Sequence, residues 1–255
     1  FVSNGYIISK IENNKNFTKI NNKIFFIIKK FLKIKSTKRK DLFNDLHKYA
    51  NKKNVNELRM KIYNKLNNEI WFKEAYFSLA EKTIELIIGS EIAVQDKINF
   101  SIQMPNDKSS KLEMHADSLS GESKFQIVLW VPLVDTFRSK SMYIFDKKLS
   151  IKEIKNIGKY KYKGMNYIYN KNKHKKKFLK INKGQFLIFS PNLLHGNVEN
   201  ITNETRISMN CRFKNLFSNY ADKSLFGKRM GYFYIPLRIK PATKFSLDFK
   251  IPDEF

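Results

Sequence analysis

Thr205-Arg206-Ile207-Ser208-Met209-Asn210-Cys211-Arg212-Phe213 alternates without a break. Ile207, Met209, Cys211 and Phe213 fall on one face, and Arg206, Ser208, Asn210 and Arg212 on the other, which is the period of a β-strand. A strand that hides one face and points arginines from the other lines a polar cavity or faces solvent. The same period of two recurs upstream. Ile98, Phe100 and Ile102 point one way, with Asn99, Ser101 and Gln103 the other. Phe125 to Pro132 reads as a strong strand with Gln126, Val128 and Trp130 on one face, and Ser141 to Phe145 as another. Gly184 opens a further strand from Gln185 to Phe189.

Before residue 90 the period is mostly helical. Asp41 is placed to cap a helix carrying Leu42, Phe43, Leu46 and Tyr49, and Asn54 a second with Leu58, Ile62 and Leu66. A third is predicted from Trp71 to Ile88, stopped by Gly89. Two earlier apolar patches, Tyr6 to Ile8 and Ile24 to Ile28, read as strands that extend a sheet. Residues 150–180 form a Lys/Tyr/Asn-rich insertion, read as a short helix and a long loop. Helices followed by about eight short strands predict an α+β chain ending in a double-stranded β-helix, the jelly-roll-like barrel of the cupins. The 255 residues suffice for one domain. Residues 1–90 are its mainly helical part, 91–215 the barrel core and 216–255 a C-terminal extension. The tail from Tyr220, with Tyr232 to Ile235, is expected to pack outside the barrel.

The chemistry-bearing residues sit around these strands. His115 and Asp117 in Met114-His115-Ala116-Asp117 are two apart, so on extended backbone both side chains leave one face. His195 follows the turn Ser190-Pro191-Asn192 and can close a third corner. Two imidazoles and one carboxylate on one side of an iron leave the other side open, the facial arrangement of non-haem Fe(II) oxygenases. A His-x-Asp alone is common; His47, within a helix, and His174, between lysines, read as satisfied or solvent-facing.

His-x-Asp, a distal His, and an Arg on the strand after it resemble, in order and spacing, the phytanoyl-CoA dioxygenase-like branch of the Fe(II)/2-oxoglutarate oxygenases. The resemblance covers roughly residues 95 to 215. It implies that His115, Asp117 and His195 hold Fe(II), and that Arg206 pairs with the distal carboxylate of 2-oxoglutarate through its planar fork. Ser208 would serve the same carboxylate. Gln103 corresponds to a glutamine that contacts 2-oxoglutarate, and Trp130 to a tryptophan lining that pocket or, equally, to a core residue. Dioxygen would be the oxidant, with decarboxylation of 2-oxoglutarate giving succinate and carbon dioxide and the substrate leaving as an alcohol. Asp117 stands where halogenating members carry a small residue, so hydroxylation is expected. The chain departs from the family at Asn197, where a small hydroxyl residue is common, and at Phe145-Asp146-Lys147-Lys148, where a Pro-Gly-Ser-His turn is usual. Within the branch, the chain is most similar to oxygenases of bacterial surface-carbohydrate biosynthesis, which implies a sugar or nucleotide-linked sugar as substrate. Arg212 could then meet a phosphate or carboxylate.

Composition bears on the rival readings. The formal net charge is +26, yet of 49 Lys and Arg residues seven are arginine. With so much Asn, Ile, Tyr and Phe, this pattern reads as codon bias more than as a nucleic-acid footprint, which favours arginine forks. A nucleic-acid demethylase of the same superfamily remains one alternative, and a cupin-like metal-binding isomerase or binding module another. The latter has no use for a buried arginine at position 206. Cys211 is the one cysteine, so no disulfide forms within the chain, and its place on an apolar strand face predicts a buried, inert thiol. No secretory signal is visible, and the apolar runs, Ile24 to Ile28 among them, are too short to span a bilayer. A reducing cytoplasm is the expected setting.

Overall fold

The computed structural model describes residues 1–35, 38–120, 122–219, 233–246 and 249. Its spine is the strand expected at 205–213, which runs over Arg206–Asn215 as β9. β9 is long enough to serve three neighbours. Its first half pairs with β3 (Asn99–Gln103) and its last residues with β2 (Ile92–Gln95), while β4 (Ile127–Pro132) runs along its other edge. β7 (Gln185–Phe189) pairs with β4, and β1 (Tyr6–Lys10) with β7. With β10 (Tyr234–Arg238) on the free edge of β2 these make an antiparallel seven-stranded sheet. A second sheet has three strands, β6 (Lys177–Phe178), β5 (Met142–Ile144) and β8 (His195–Asn197), also antiparallel.

Alternation decides what each face touches. Ile207, Met209, Cys211 and Phe213 of β9 join Ile127, Leu129 and Val131 of β4 in one buried cluster with the N-terminal helices. The opposite face of the large sheet meets the small one, with Val128, Trp130, Leu187 and Phe189 against Met142 and Ile144. Tyr143 and Phe145 point away from that interface, toward the 147–172 insertion. The layers are therefore helices, large sheet, small sheet and insertion.

Several elements differ from the sequence expectation, each for a physical reason. Ile24 to Ile28 is not a strand; it lies in α1 (Asn14–Leu32). Phe17, Ile20, Ile24, Ile27 and Ile28 bury one helical face, and the Asn13 side chain caps the amide of Asn16 at 3.0 Å. The apolar run is simply wider than that face, so Phe26 is left 65% exposed. α2 (Arg39–Asn44) already begins at Arg39, which puts Asp41 inside the helix rather than at its cap. Asn54 precedes α3 (Val55–Asn67) as expected, but its carboxamide oxygen accepts from the amide of Asn51 instead of capping the helix.

The stretch Trp71 to Ile88 divides into α4 (Phe72–Phe77) and α5 (Glu81–Ile88). Glu12 causes the break. Its carboxylate accepts from the amides of Lys82 and Thr83, and its own amide donates to Leu79 O. This distant side chain supplies the new helix start with its cap. Gly89, at φ +85, ends α5 as the sequence suggested.

The insertion is more helical than expected, with α6 (Lys147–Lys155), a 3-10 stretch Ile157–Lys163 and α7 (Gly164–Asn172). All three converge on buried Glu153, which accepts from Tyr160, Lys171 and Asn172 at 2.5, 3.3 and 3.2 Å. Tyr6 to Ile8 does form a strand, but it precedes the helices and borders the large sheet, so the chain is not simply helices then strands. The tail does not stay outside: Tyr234, Ile235 and Pro236 pair with Gln95, Val94 and Ala93. Tyr220 to Tyr232 lie outside the described residues. No helix among those described is long and apolar enough to cross a membrane.

Candidate metal centre

A two-residue bridge on the free edge of the small sheet, where His115 meets His195 of β8, builds the site. The amide of His115 donates to His195 O, and that of His195 to His115 O, both at 2.9 Å. Each histidine then spends Nδ1 on the carbonyl two residues before it, Glu113 O for His115 and Leu193 O for His195, both at 2.8 Å. A carbonyl only accepts, so Nδ1 carries the proton in both rings, and each Nε2 lone pair is free to face inward. Asp117 opens a short 3-10 turn, Asp117–Ser120, and its Oδ1 lies 3.4 Å from His115 Nε2 and 3.9 Å from His195 Nε2. One ligand atom from each of the three lies within 4.8 Å of the others, the one such grouping among the described residues.

The electrostatics favour a cation there. Burial alone would raise the Asp117 carboxyl, but His115, Arg212 and His195 around it outweigh burial and hold it well below the usual carboxylate range. Burial pushes the His195 imidazole down to about 4, so it is neutral near pH 7. Two neutral-capable imidazole nitrogens and one ionised carboxylate suit a borderline divalent metal such as Fe(II).

The cluster lines a cavity of about 180 Å³, which Trp130, Arg206 and Ser208 also line. Arg206 is buried, and burial lowers its guanidinium to about 10. Its Nε and the Ser208 hydroxyl are buried without a hydrogen-bond partner. Stranded donors on a buried cation fit an anionic ligand. Gln103 stands apart from this wall. It faces Arg206 in the β3–β9 register, but its Nε2 donates to Val198 O at 2.6 Å. Asn197 borders the cavity, with its amide engaged by Leu112 N and Ser110 O. His47 pairs with the Thr205 hydroxyl and His174 is exposed, as the sequence suggested.

Arg212 corrects the expectation that it waits for a substrate phosphate or carboxylate. Its Nε and Nη2 lie 3.2 and 3.1 Å from Asp117 Oδ2, and Nε also reaches Glu122 at 2.5 Å. Burial pushes Glu122 up to about 7 against the pull of Arg212, with the Asp117 charge adding to the rise. The alternation of β9 put Arg212 on the cavity face, but nothing in the sequence marked Glu122 as its partner.

No family model and no curated protein sequence matches the chain. Solved structures do. The non-heme monooxygenase ThoJ, as its nickel complex, superposes with a TM-score of 0.57 at 12% identity, over 99% of this chain and 87% of that one. AviO1 from Streptomyces viridochromogenes gives 0.55 at 12% identity, over 86% and 93% of the two chains. HygX from Streptomyces hygroscopicus, with nickel and 2-oxoglutarate bound, gives 0.51 at 10%, over 89% and 90%. In fold, then, this chain of mixed helices and antiparallel sheets is similar to ThoJ, AviO1 and HygX.

Proposed function

We propose that the protein is a non-haem Fe(II)- and 2-oxoglutarate-dependent oxygenase of the phytanoyl-CoA dioxygenase-like kind. In this reading the two facing sheets are the halves of a double-stranded β-helix, and residues 1–255 make one domain. The observation that carries it is Arg206, a buried cation with a stranded Nε, in the same cavity as His115, Asp117 and His195. A metal site alone explains the histidines and the aspartate; it does not explain a buried guanidinium beside them.

His115 Nε2, Asp117 Oδ1 and His195 Nε2 would hold Fe(II). Arg206 and Ser208 would bind the distal carboxylate of 2-oxoglutarate, and Trp130 would close one wall against water. When bound, iron and 2-oxoglutarate would supply the oxidation of a substrate C–H bond by dioxygen. The residues position these groups and keep the cavity dry. We read the substrate as a small polar metabolite, a sugar or nucleotide-linked sugar, in keeping with the polar face of β9. With Asp117 present, hydroxylation is expected rather than halogenation.

Anaerobic titration of the Fe(II)-loaded protein with 2-oxoglutarate tests this. A visible charge-transfer band should appear in the wild type and be absent in His115→Ala and Asp117→Ala, with both variants retaining the wild-type circular dichroism. Iron bound without a band would favour the cupin-like isomerase or binding module.

A further inference from the structure

We propose that Arg212 is a positioning residue for the Asp117 carboxylate, holding Oδ2 so that Oδ1 alone is offered to a metal. The inference rests on the metal reading above.

The geometry is asymmetric. Asp117 Oδ1 lies between the two histidine nitrogens, at 3.4 and 3.9 Å, while Oδ2 faces away and meets both Nε and Nη2 of Arg212. One charge-assisted hydrogen bond from Nε, together with the Nη2 ion-pair contact on the same oxygen, holds Oδ2 and restrains the carboxylate plane. The guanidinium is itself held from several sides. Gln95 Oε1 accepts from Nη1 at 3.2 Å, the Glu122 carboxylate lies against Nε as an ion pair, and the Phe233 ring lies 5.9 Å from Cζ. Gln126 donates to Glu122 and accepts from Tyr234, so β10 and the 122–126 segment close around the clamp. Nothing in this arrangement looks like a site waiting for substrate.

The consequence concerns coordination. A carboxylate free to rotate binds a metal through both oxygens and fills a position that the facial arrangement leaves open. Arg212 forbids this by occupying Oδ2. The open positions are where a bidentate 2-oxo acid must chelate, so the arginine acts on co-substrate binding through Asp117 without touching it.

Co(II) in place of iron tests the idea, read by its visible absorption and by 2-oxoglutarate titration. Wild-type protein should bind Co(II), and 2-oxoglutarate should change the spectrum. In Arg212→Met, Co(II) should still bind, but with an altered starting spectrum and with 2-oxoglutarate weakened about 10- to 100-fold. Arg212→Lys should recover part of the loss. The paired variant Arg212→Met/Glu122→Gln preserves the local charge balance, and stands in should Arg212→Met not fold. If wild type binds Co(II) and 2-oxoglutarate, and both methionine variants keep its spectrum and affinity, the positioning role is overturned while the oxygenase reading stands. If wild type itself binds no Co(II), both fall together.

Discussion

Arg206 and Glu122 are opposite cases of a charge kept inside. Arg206 lies on the cavity wall with no carboxylate beside it among the described residues, and burial lowers its guanidinium to about 10. At pH 7 it is charged in both folded and unfolded states, so the folded state bears the full cost of its desolvation. Arg206→Met should therefore raise the stability of ligand-free protein by about 1–3 kcal/mol. The same variant should lose the stabilisation that 2-oxoglutarate gives the wild type, about 2.7 kcal/mol at a hundredfold excess over Kd. Thermal unfolding with and without 2-oxoglutarate reads both; a variant that still gains stability from the ligand would move the anchor elsewhere. Glu122 titrates inside the working range. Its folded value near 7 lies above the usual 4.5, so the folded state takes up a proton that the unfolded state has released. Its contribution to stability falls as pH rises from about 4.5 to about 7, by roughly 2–3 kcal/mol. Glu122→Gln removes this term. In urea, the variant should gain on metal-free wild type between pH 5 and pH 8, and a gap that stays constant with pH would contradict it.

At the scale of elements, strands were legible and joints were not. β9, β4 and β3 follow from period-two alternation because each buries one face against the helices and turns the other inward. The same alternation brought Arg206, Ser208 and Trp130 to the wall of His115, Asp117 and His195. What sequence could not show was where a distant side chain intervenes. Glu12 splits the expected helix at Trp71–Ile88, and Asp117 claims Arg212 across the fold. Gln103 is pulled toward Val198 by a backbone carbonyl that no local pattern reveals. The insertion makes the point most sharply, since its loop-like composition hides helices gathered on Glu153. Glu153→Ala would remove the acceptor on which Tyr160, Lys171 and Asn172 converge. It should raise hydrogen exchange across 147–172 by at least tenfold, the effect of losing about 1.4 kcal/mol or more. The amides of β4 and β9 should keep wild-type protection, and an equal loss there would mean the insertion is not a separate unit.

For the molecule as a whole, the sheet order sets the time at which it can form. β1, β2, β3 and β4 pair only with β7, β9 and β10, among the described residues, so no ladder of the large sheet closes within the first half of the chain. Such non-local pairing predicts folding over milliseconds to seconds. Cys211, at the centre of β9 with burial pushing its thiol up to about 12, reports on it. Iodoacetamide at pH 8 should leave the native protein unlabelled, and in refolding should mark chains until β9 is seated. Labelling of native protein at the rate of a free thiol would refute this. On the ribosome the consequence is sharper. At roughly 5–20 residues per second, His115 waits several seconds for His195 to be made, and the strands before it wait too, with apolar faces and backbone edges unmatched. The strands themselves carry one lysine, Lys10, but lysines on the segments beside them, such as Lys97, Lys108 and Lys111, discourage those edges from joining other nascent chains. A positive charge that read as codon bias more than as a footprint for nucleic acid would thus act during synthesis, before there is a site to serve.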